Sequence, residues 1–451
     1  MFRSKLTRGG VAFAAATMGV ATMSMAFAGT AGATGTATGR SATLIIGSGS
    51  QTSYDEMTAL STLFNSAPGC DLTASTAVPA SLDCGQASHT AGTVGGEQGY
   101  DVSAENPYND FAVQAPAIGS GNGSTALEAS GSGSPTQTID FARASSAKGT
   151  SVSNRVKFAT DAVSWVTFNA VGGVKTNQAT ITNMTTAQLQ GIFQGTGVPG
   201  CVGGQYSNMD WYCLGAKAHS PIDVYMAQTG SGTYSTWQSF TGITSNTAGG
   251  GVTNAGMEQG GGTAASHSNL FENQMSYISQ QSDAADAIYF FSLGKFTTNC
   301  HGKNGKKVVC AGTAANDYVT FGSINGISAT QSTVQGTGGG AGVTFPVVRG
   351  LYNNYLNSSA AHPSSQATLN FVSEKGFLCK SGTSTDTNPY TGNSYRYDIE
   401  AAIKAQGFFP LDVSGSPFAQ GTVTNPAVIT DTAFTAIDGD GTSGYCLVTH
   451  G

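Results

Sequence analysis

Hydroxyl side chains crowd three glycine-rich runs of this sequence: Gly47-Ser48-Gly49-Ser50-Gln51-Thr52, Gly119-Ser120-Gly121-Asn122-Gly123-Ser124 and Gly230-Ser231-Gly232-Thr233. Each lies between an apolar, strand-like segment and a segment with helical spacing. That location has a chemistry. The first N–H groups of a helix lack intrahelical acceptors, and the helix dipole adds partial positive charge there. Glycine lets an anion approach the backbone, and Ser or Thr hydroxyls add donors, so such a turn holds small anions. One such turn is also a common loop. Three in one chain can converge at the carboxyl ends of strands, where open α/β sheets take their ligands.

Other chemistries fit less well. A nucleotide-binding P-loop needs Lys directly before the Ser/Thr that follows the glycines, and Thr233 follows Gly232. No G-x-S-x-G elbow with a plausible partner set points to a serine hydrolase. Asp438-Gly439-Asp440-Gly441 lacks the later Glu of an EF-hand and reads as a surface turn. The six histidines show no metal-ligand spacing, and no C-x-x-C occurs, which sets zinc aside.

The elements that must position these runs alternate between strand and helix patterns. Residues 42–46 read as a buried strand, followed by Met57, Leu60, Leu63 and Phe64 at helical spacing. The second run precedes a short helix around 125–130. Residues 138–143 read as a strand ending in Ala144-Ser145-Ser146, and Val156 to Ala159 and Val163 to Phe168 as two apolar strand-like runs. Thr185 is a natural N-cap for a helix with Leu189, Ile192 and Phe193 on its apolar face. Residues 222–227 form a strand leading into the third run, whose helix carries Tyr234, Trp237 and Phe240. Strands follow at 287–291 and from Phe345 to Arg349, with a Gly/Ser/Thr/Gln loop at 329–342 between them. Helices around Leu369–Val372 and from Tyr397 to Ala405 complete the pattern, which predicts an α/β fold with mostly parallel sheets.

The chain has features of an exported protein. Arg3, Lys5 and Arg8 precede an uncharged, Ala-rich run over 11–28 and small residues suited to cleavage, so residues 1–33 read as a signal peptide. About 410 residues then remain, enough for two compact lobes. The first cysteine is Cys70, so no lipid-modified N-terminal cysteine is expected. Charged residues make up 10% of the chain, and the net charge is −7. Soluble domains average about 25% charged residues. With no basic stripe, nucleic acid is excluded as a partner. Eight cysteines in an exported chain imply disulfides. Proximity in sequence pairs Cys70 with Cys84, Cys201 with Cys213 and Cys300 with Cys310, leaving Cys379 and Cys446 for each other.

The order of these segments resembles the phosphate-binding (PstS-type) substrate-binding proteins of ABC transporters. Ile46-Gly47-Ser48-Gly49-Ser50-Gln51-Thr52 is similar to that family's first phosphate loop, and Ile118-Gly119-Ser120-Gly121-Asn122-Gly123 to its second. Ile139-Asp140-Phe141-Ala142-Arg143-Ala144-Ser145-Ser146 is similar to its "DFGASD" strand end, and Pro221 to Thr233 to its strand leading into a "GSGT" loop. Residues 189–195, 287–290, 345–348 and 407–411 match further segments in the same order. The resemblance spans roughly 42–411.

It implies a two-lobed, type II periplasmic-binding-protein-like (Venus flytrap) α/β fold. One lobe is expected at 42–155 and 336–451, the other at 156–335. The implied ligand set is Ser50, Gln51, Thr52, Ser120, Gly121, Arg143, Ser146, Ser231, Gly232 and Thr233, around inorganic phosphate or a similar oxyanion. The implied partner is an ABC-transporter permease, with no cofactor and no catalysis.

Two charged groups of the family pattern are missing from their expected places. Ser146 stands where the family has Asp, and Ala227 stands where it has Arg. Arg143 is the candidate replacement cation, and Asp140 or Glu128 the candidate acceptor. These departures keep two other readings open: a secreted surface or matrix protein of the same fold that has lost transport, and a secreted phosphate-acting hydrolase.

Overall fold

The computed structural model describes residues 47–66, 119–132, 139–146, 152–243, 270, 272–273, 275–303, 307–336, 344–361, 363–364, 366–374, 376–379, 387–388, 391–411, 435–436 and 445–449. The signal segment, the 42–46 strand, the Cys70–Cys84 pair and the 438–441 turn lie outside them.

The central element is β3 (Ser153–Val171), a single strand where the sequence suggested two. Its buried β-branched and aromatic residues, among them Val156, Phe158, Val163, Trp165, Val166 and Phe168, suit a strand covered on both faces. The first half of β3 pairs with β6 (Val348–Leu356), and the second half with β5 (Ala287–Ser292), both antiparallel. On the outer side of β6 lies β2 (Phe141–Ala144), antiparallel, and then β1 (Gly47–Gly49), parallel to β2. On the outer side of β5 lies β4 (Asp223–Val224), parallel.

The expectation of mostly parallel sheets is therefore corrected. Parallel pairing is confined to β1–β2, β4–β5 and the short pair 323–324 with 183–184 among the described strands, and β3 pairs antiparallel with all its partners. The physical reason lies in chain direction. β3 and β6 run through the middle of the sheet in opposite senses, and they order the strands around them.

The buried apolar residues separate into two main groups. One contains Ala162 to Val348 and includes Trp165, Trp211, Trp237 and Phe290. The other joins Met57, Leu60 and Phe64 to Phe141, Val156, Leu351, Phe371 and Ile399. Both β3 and β6 contribute to each group, with the change falling between Ala159 and Ala162 on β3 and between Val348 and Leu351 on β6.

Helix α1 (Tyr54–Ser66) buries Met57, Leu60 and Phe64, and Phe64 stacks on Phe371 at 4.9 Å between ring centroids. Helix α2 spans Gly119–Gly131. The second glycine run is thus the start of a helix, where the sequence suggested a turn before residue 125. Helix α3 (Thr186–Phe193) begins at Thr185 with a capping box completed by Gln188, as its sequence predicts. Helix α4 (Gly232–Thr241) is capped by Ser231, whose hydroxyl accepts the Tyr234 N–H. Its Trp237 stacks on Phe290 of β5 at 5.7 Å and meets Phe193 of α3 edge-on at 5.2 Å. Helix α5 (Tyr395–Ala405) is capped by Ser394 and ends before Gly407. The 329–342 stretch contains a short helical turn at Gln331–Val334.

Three expected disulfides are present: Cys201–Cys213, Cys300–Cys310 and Cys379–Cys446. No helix among the described residues is long and apolar enough to cross a membrane.

Candidate functional site

The three glycine-rich runs meet. The Gly121 N–H donates to the Gly230 carbonyl at 2.9 Å, which docks the start of α2 on the loop before α4. The hydroxyl oxygens of Ser50 and Ser145 lie 2.9 Å apart, and the Ser145 N–H donates to Ser120 Oγ at 2.8 Å. Glycine serves this convergence by letting the loops touch one another. A Cβ on Gly232 would lie 2.3 Å from both Ser120 Oγ and Ser145 Oγ, and one on Gly119 would lie 2.3 Å from the Gly230 carbonyl oxygen. Gly119 also has φ +80°, in the left-handed region.

At the meeting point sits a carboxylate of the chain itself. Glu272 Oε1 accepts from Ser50 Oγ at 2.9 Å and from the Thr52 N–H at 3.1 Å. Its Oε2 accepts from Ser231 Oγ at 2.6 Å, from Thr233 Oγ1 at 2.9 Å and from the Thr233 N–H at 3.2 Å. Donors from the loop before α1 thus hold one oxygen, and donors from the start of α4 hold the other. Glu272 is 2% exposed. Burial works to raise its pKa, but the Arg349 charge and the bonds from Ser231, Ser50 and Thr233 prevail and hold it below the ordinary carboxylate value.

Arg349 supplies the cation. Its Nη1 donates to Thr233 Oγ1 at 2.8 Å and its Nη2 to Thr52 Oγ1 at 3.2 Å. The same guanidinium binds Asp161 Oδ2 through Nε at 3.0 Å and Nη2 at 2.8 Å. Arg349 and Asp161 are register partners of β6 and β3, at the point where the two core groups change over. Asp161 also accepts from Ser292 Oγ at 2.8 Å and the Gly294 N–H at 3.1 Å. A buried ion pair needs such added bonds to offset its desolvation.

The backbone around Glu272 is fixed on both sides. Leu270 pairs with the segment before α4: its N–H donates to the Met226 carbonyl at 3.2 Å, and its carbonyl accepts the Gln228 N–H at 2.9 Å. Asn273 adopts φ 63°, a left-handed conformation that Asn tolerates better than most residues. Its Oδ1 accepts the Ser292 N–H at 2.9 Å, and its Nδ2 donates to Thr52 Oγ1 at 3.0 Å.

No protein-family model matches the chain, and comparison with curated proteins finds no match. Solved structures do match. The chain is similar to phosphate-transport receptors. An ABC-type phosphate transport receptor from Vibrio cholerae is 17% identical at a TM-score of 0.33, over 58% of this chain and 84% of that one. PstS from Borrelia burgdorferi is 14% identical at a TM-score of 0.32, over 67% and 90%. A possible phosphate binding protein from Planctomyces limnophilus is 12% identical at a TM-score of 0.33, over 82% and 93%.

Of the residues singled out in the sequence, Ser50, Thr52, Ser231 and Thr233 contact the Glu272 carboxylate directly. Ser120 and Gly232 line the loop contacts beside it, Gly121 makes the bond to Gly230, and Gln51 is buried in the turn before α1. Ser146 is buried, and its hydroxyl has no hydrogen-bond partner among the described residues. Arg143 is buried beneath the first loop: its Nε donates to the Ser50 carbonyl at 3.2 Å and its guanidinium lies 5.3 Å from the Tyr54 ring centroid. Asp140 immediately precedes β2, where its carbonyl accepts from Ser364 Oγ, and Glu128 is on α2.

Sequence reasoning missed Glu272, Asn273, Ser145, Asp161 and Arg349. Two of these carried a signal. Asp161 lies between Ala159 and Val163 in an apolar run, and Arg349 follows Phe345-Pro346-Val347-Val348. A lone charge inside a buried strand demands a partner, and these two residues satisfy each other.

Proposed function

We propose that the chain is an extracytoplasmic binding protein for phosphate or a related small oxyanion, of the kind that serves an ABC-transporter permease. One observation carries this reading: the donors of two loops, with a guanidinium behind them, close around a single oxyanion group, the carboxylate of Glu272. Backbone N–H groups, hydroxyls and one Arg are the donor set that small anions require.

The buried polar inventory adds support. Ser53 Oγ, Ser146 Oγ and Gln228 Nε2 are buried without hydrogen-bond partners among the described residues, and they stand next in sequence to the loops that form the seat. An unsatisfied buried donor costs about 1–3 kcal/mol. A tetrahedral oxyanion presents more acceptor positions than a carboxylate.

The two-lobed arrangement belongs to the same proposal. One lobe comprises about 42–155 and 336–451 and the other about 156–335, with a cleft between them that closes on ligand. The division of the core into two groups on either side of the Asp161–Arg349 pair supports it.

A second reading is favoured by the same carboxylate. A seat filled by Glu272 suits a secreted surface or matrix protein that keeps the fold without transporting anything. Calorimetric titration with phosphate and sulfate separates the two. The binding reading expects saturable heat with phosphate, with weak discrimination against sulfate because Ser146 can either donate or accept. Ser231→Asp puts a second carboxylate at the N-cap of α4 and should weaken binding about tenfold or more, the loss of one charge-assisted hydrogen bond. Absence of heat with either anion, for folded protein, supports the matrix reading.

A further inference from the structure

We propose that Glu272 is an internal competitor for the oxyanion seat: its carboxylate holds the seat in the unliganded protein, and an anion enters only when that carboxylate leaves. The proposal rests on the oxyanion-binding reading and adds the residue that sets its affinity.

Geometry makes occupancy by both impossible. Both oxygens of Glu272 are engaged, and the donors they take are Ser50 Oγ, Thr52 N–H, Ser231 Oγ, Thr233 Oγ1 and Thr233 N–H. These are the groups an incoming anion would use. Charge leads to the same conclusion. Arg349 already faces two carboxylates, Asp161 by direct contact and Glu272 through its field. A phosphate dianion added beside both would leave one cation against a large excess of buried negative charge, which the interior does not tolerate. If Glu272 swings out, the dianion faces Arg349 and Asp161 alone.

The chain is built so that the side chain can leave without unravelling its surroundings. Leu270 is held by backbone bonds to Met226 and Gln228, and Asn273 by bonds to Ser292 and Thr52, so the residues on either side of Glu272 are anchored independently of its carboxylate.

The apparent affinity of a receptor falls by the fraction of time its seat is free. The test is calorimetric titration of wild type and Glu272→Ala with inorganic phosphate, with circular dichroism to establish that both are folded. Glu272→Ala is expected to bind phosphate about tenfold more tightly, or better. Phosphate should also raise its Tm by more than it raises that of wild type. Should the alanine variant fail to fold, Glu272→Gln keeps the size, removes the charge and is expected to bind more tightly than wild type. Phosphate binding by wild type with equal or weaker binding by the variants overturns the competitor role and leaves the oxyanion seat standing. Binding by none of the folded proteins overturns both.

Discussion

Glu56 shows how far a buried carboxyl can differ from its neighbour in the same site. It lies in the first turn of α1, directly after the seat loop, fully buried, and neither carboxyl oxygen has a hydrogen-bond partner among the described residues. Burial pushes its pKa well above the ordinary value, Lys295 pulls it down and Asp161 pushes it further up. Glu272, equally buried, is held below that value by Arg349 and its donors. The consequence for Glu56 has a definite sign. With its folded pKa raised, its contribution to stability is complete below the unfolded value of about 4.3 and is lost as pH rises toward the folded value. Glu56→Gln should therefore gain stability relative to wild type between pH 4 and pH 7, as measured by urea unfolding at both. A constant difference across that range would show that Glu56 is ionised in the folded protein. At this scale the sequence was half legible. Ser50, Thr52, Ser231 and Thr233 announce themselves by glycine neighbours and by position before a helix. Glu272 does not, because what brings it to the seat is a pairing of Leu270 with Met226 and Gln228, residues distant from it in sequence.

Among the elements, helices were read more truly than strands. Thr185, Ser231 and Ser394 each cap a helix through a side-chain oxygen, a local event visible in a few residues. The direction of a strand relative to its partner is decided by distant pairing, which is why β3 and β6 came out antiparallel against expectation. The disulfides give an element-scale test. Cys379–Cys446 closes a separation of 67 residues and ties the strand Leu447–Thr449 to the region beside α5, whereas Cys201–Cys213 closes only 12. Loop-closure entropy assigns about 4 kcal/mol to the longer bridge and about 3 kcal/mol to the shorter. Paired Cys→Ser replacement at 379 and 446 should thus lower the unfolding free energy by about 1–2 kcal/mol more than at 201 and 213. Denaturant melts of the two double variants measure this, and an equal or reversed order would contradict the entropic account.

In the whole molecule, β3 and β6 join two core groups, the Asp161–Arg349 pair lies at their changeover, and Thr52 and Thr233, which help hold Glu272, bond to that pair's guanidinium. On the proposed reading, a net charge of −7 is no obstacle to an anion, because the attraction is local: helix starts, oriented N–H groups and one guanidinium act at hydrogen-bond distance. The most direct test is a crystal structure of the protein grown with saturating phosphate. The expected result is phosphate among Ser50, Thr52, Ser231 and Thr233, within reach of Arg349, with the Glu272 carboxylate turned out of the seat. A structure in which Glu272 keeps all of those donors at saturating phosphate, with the anion on the outer surface or nowhere, would contradict it.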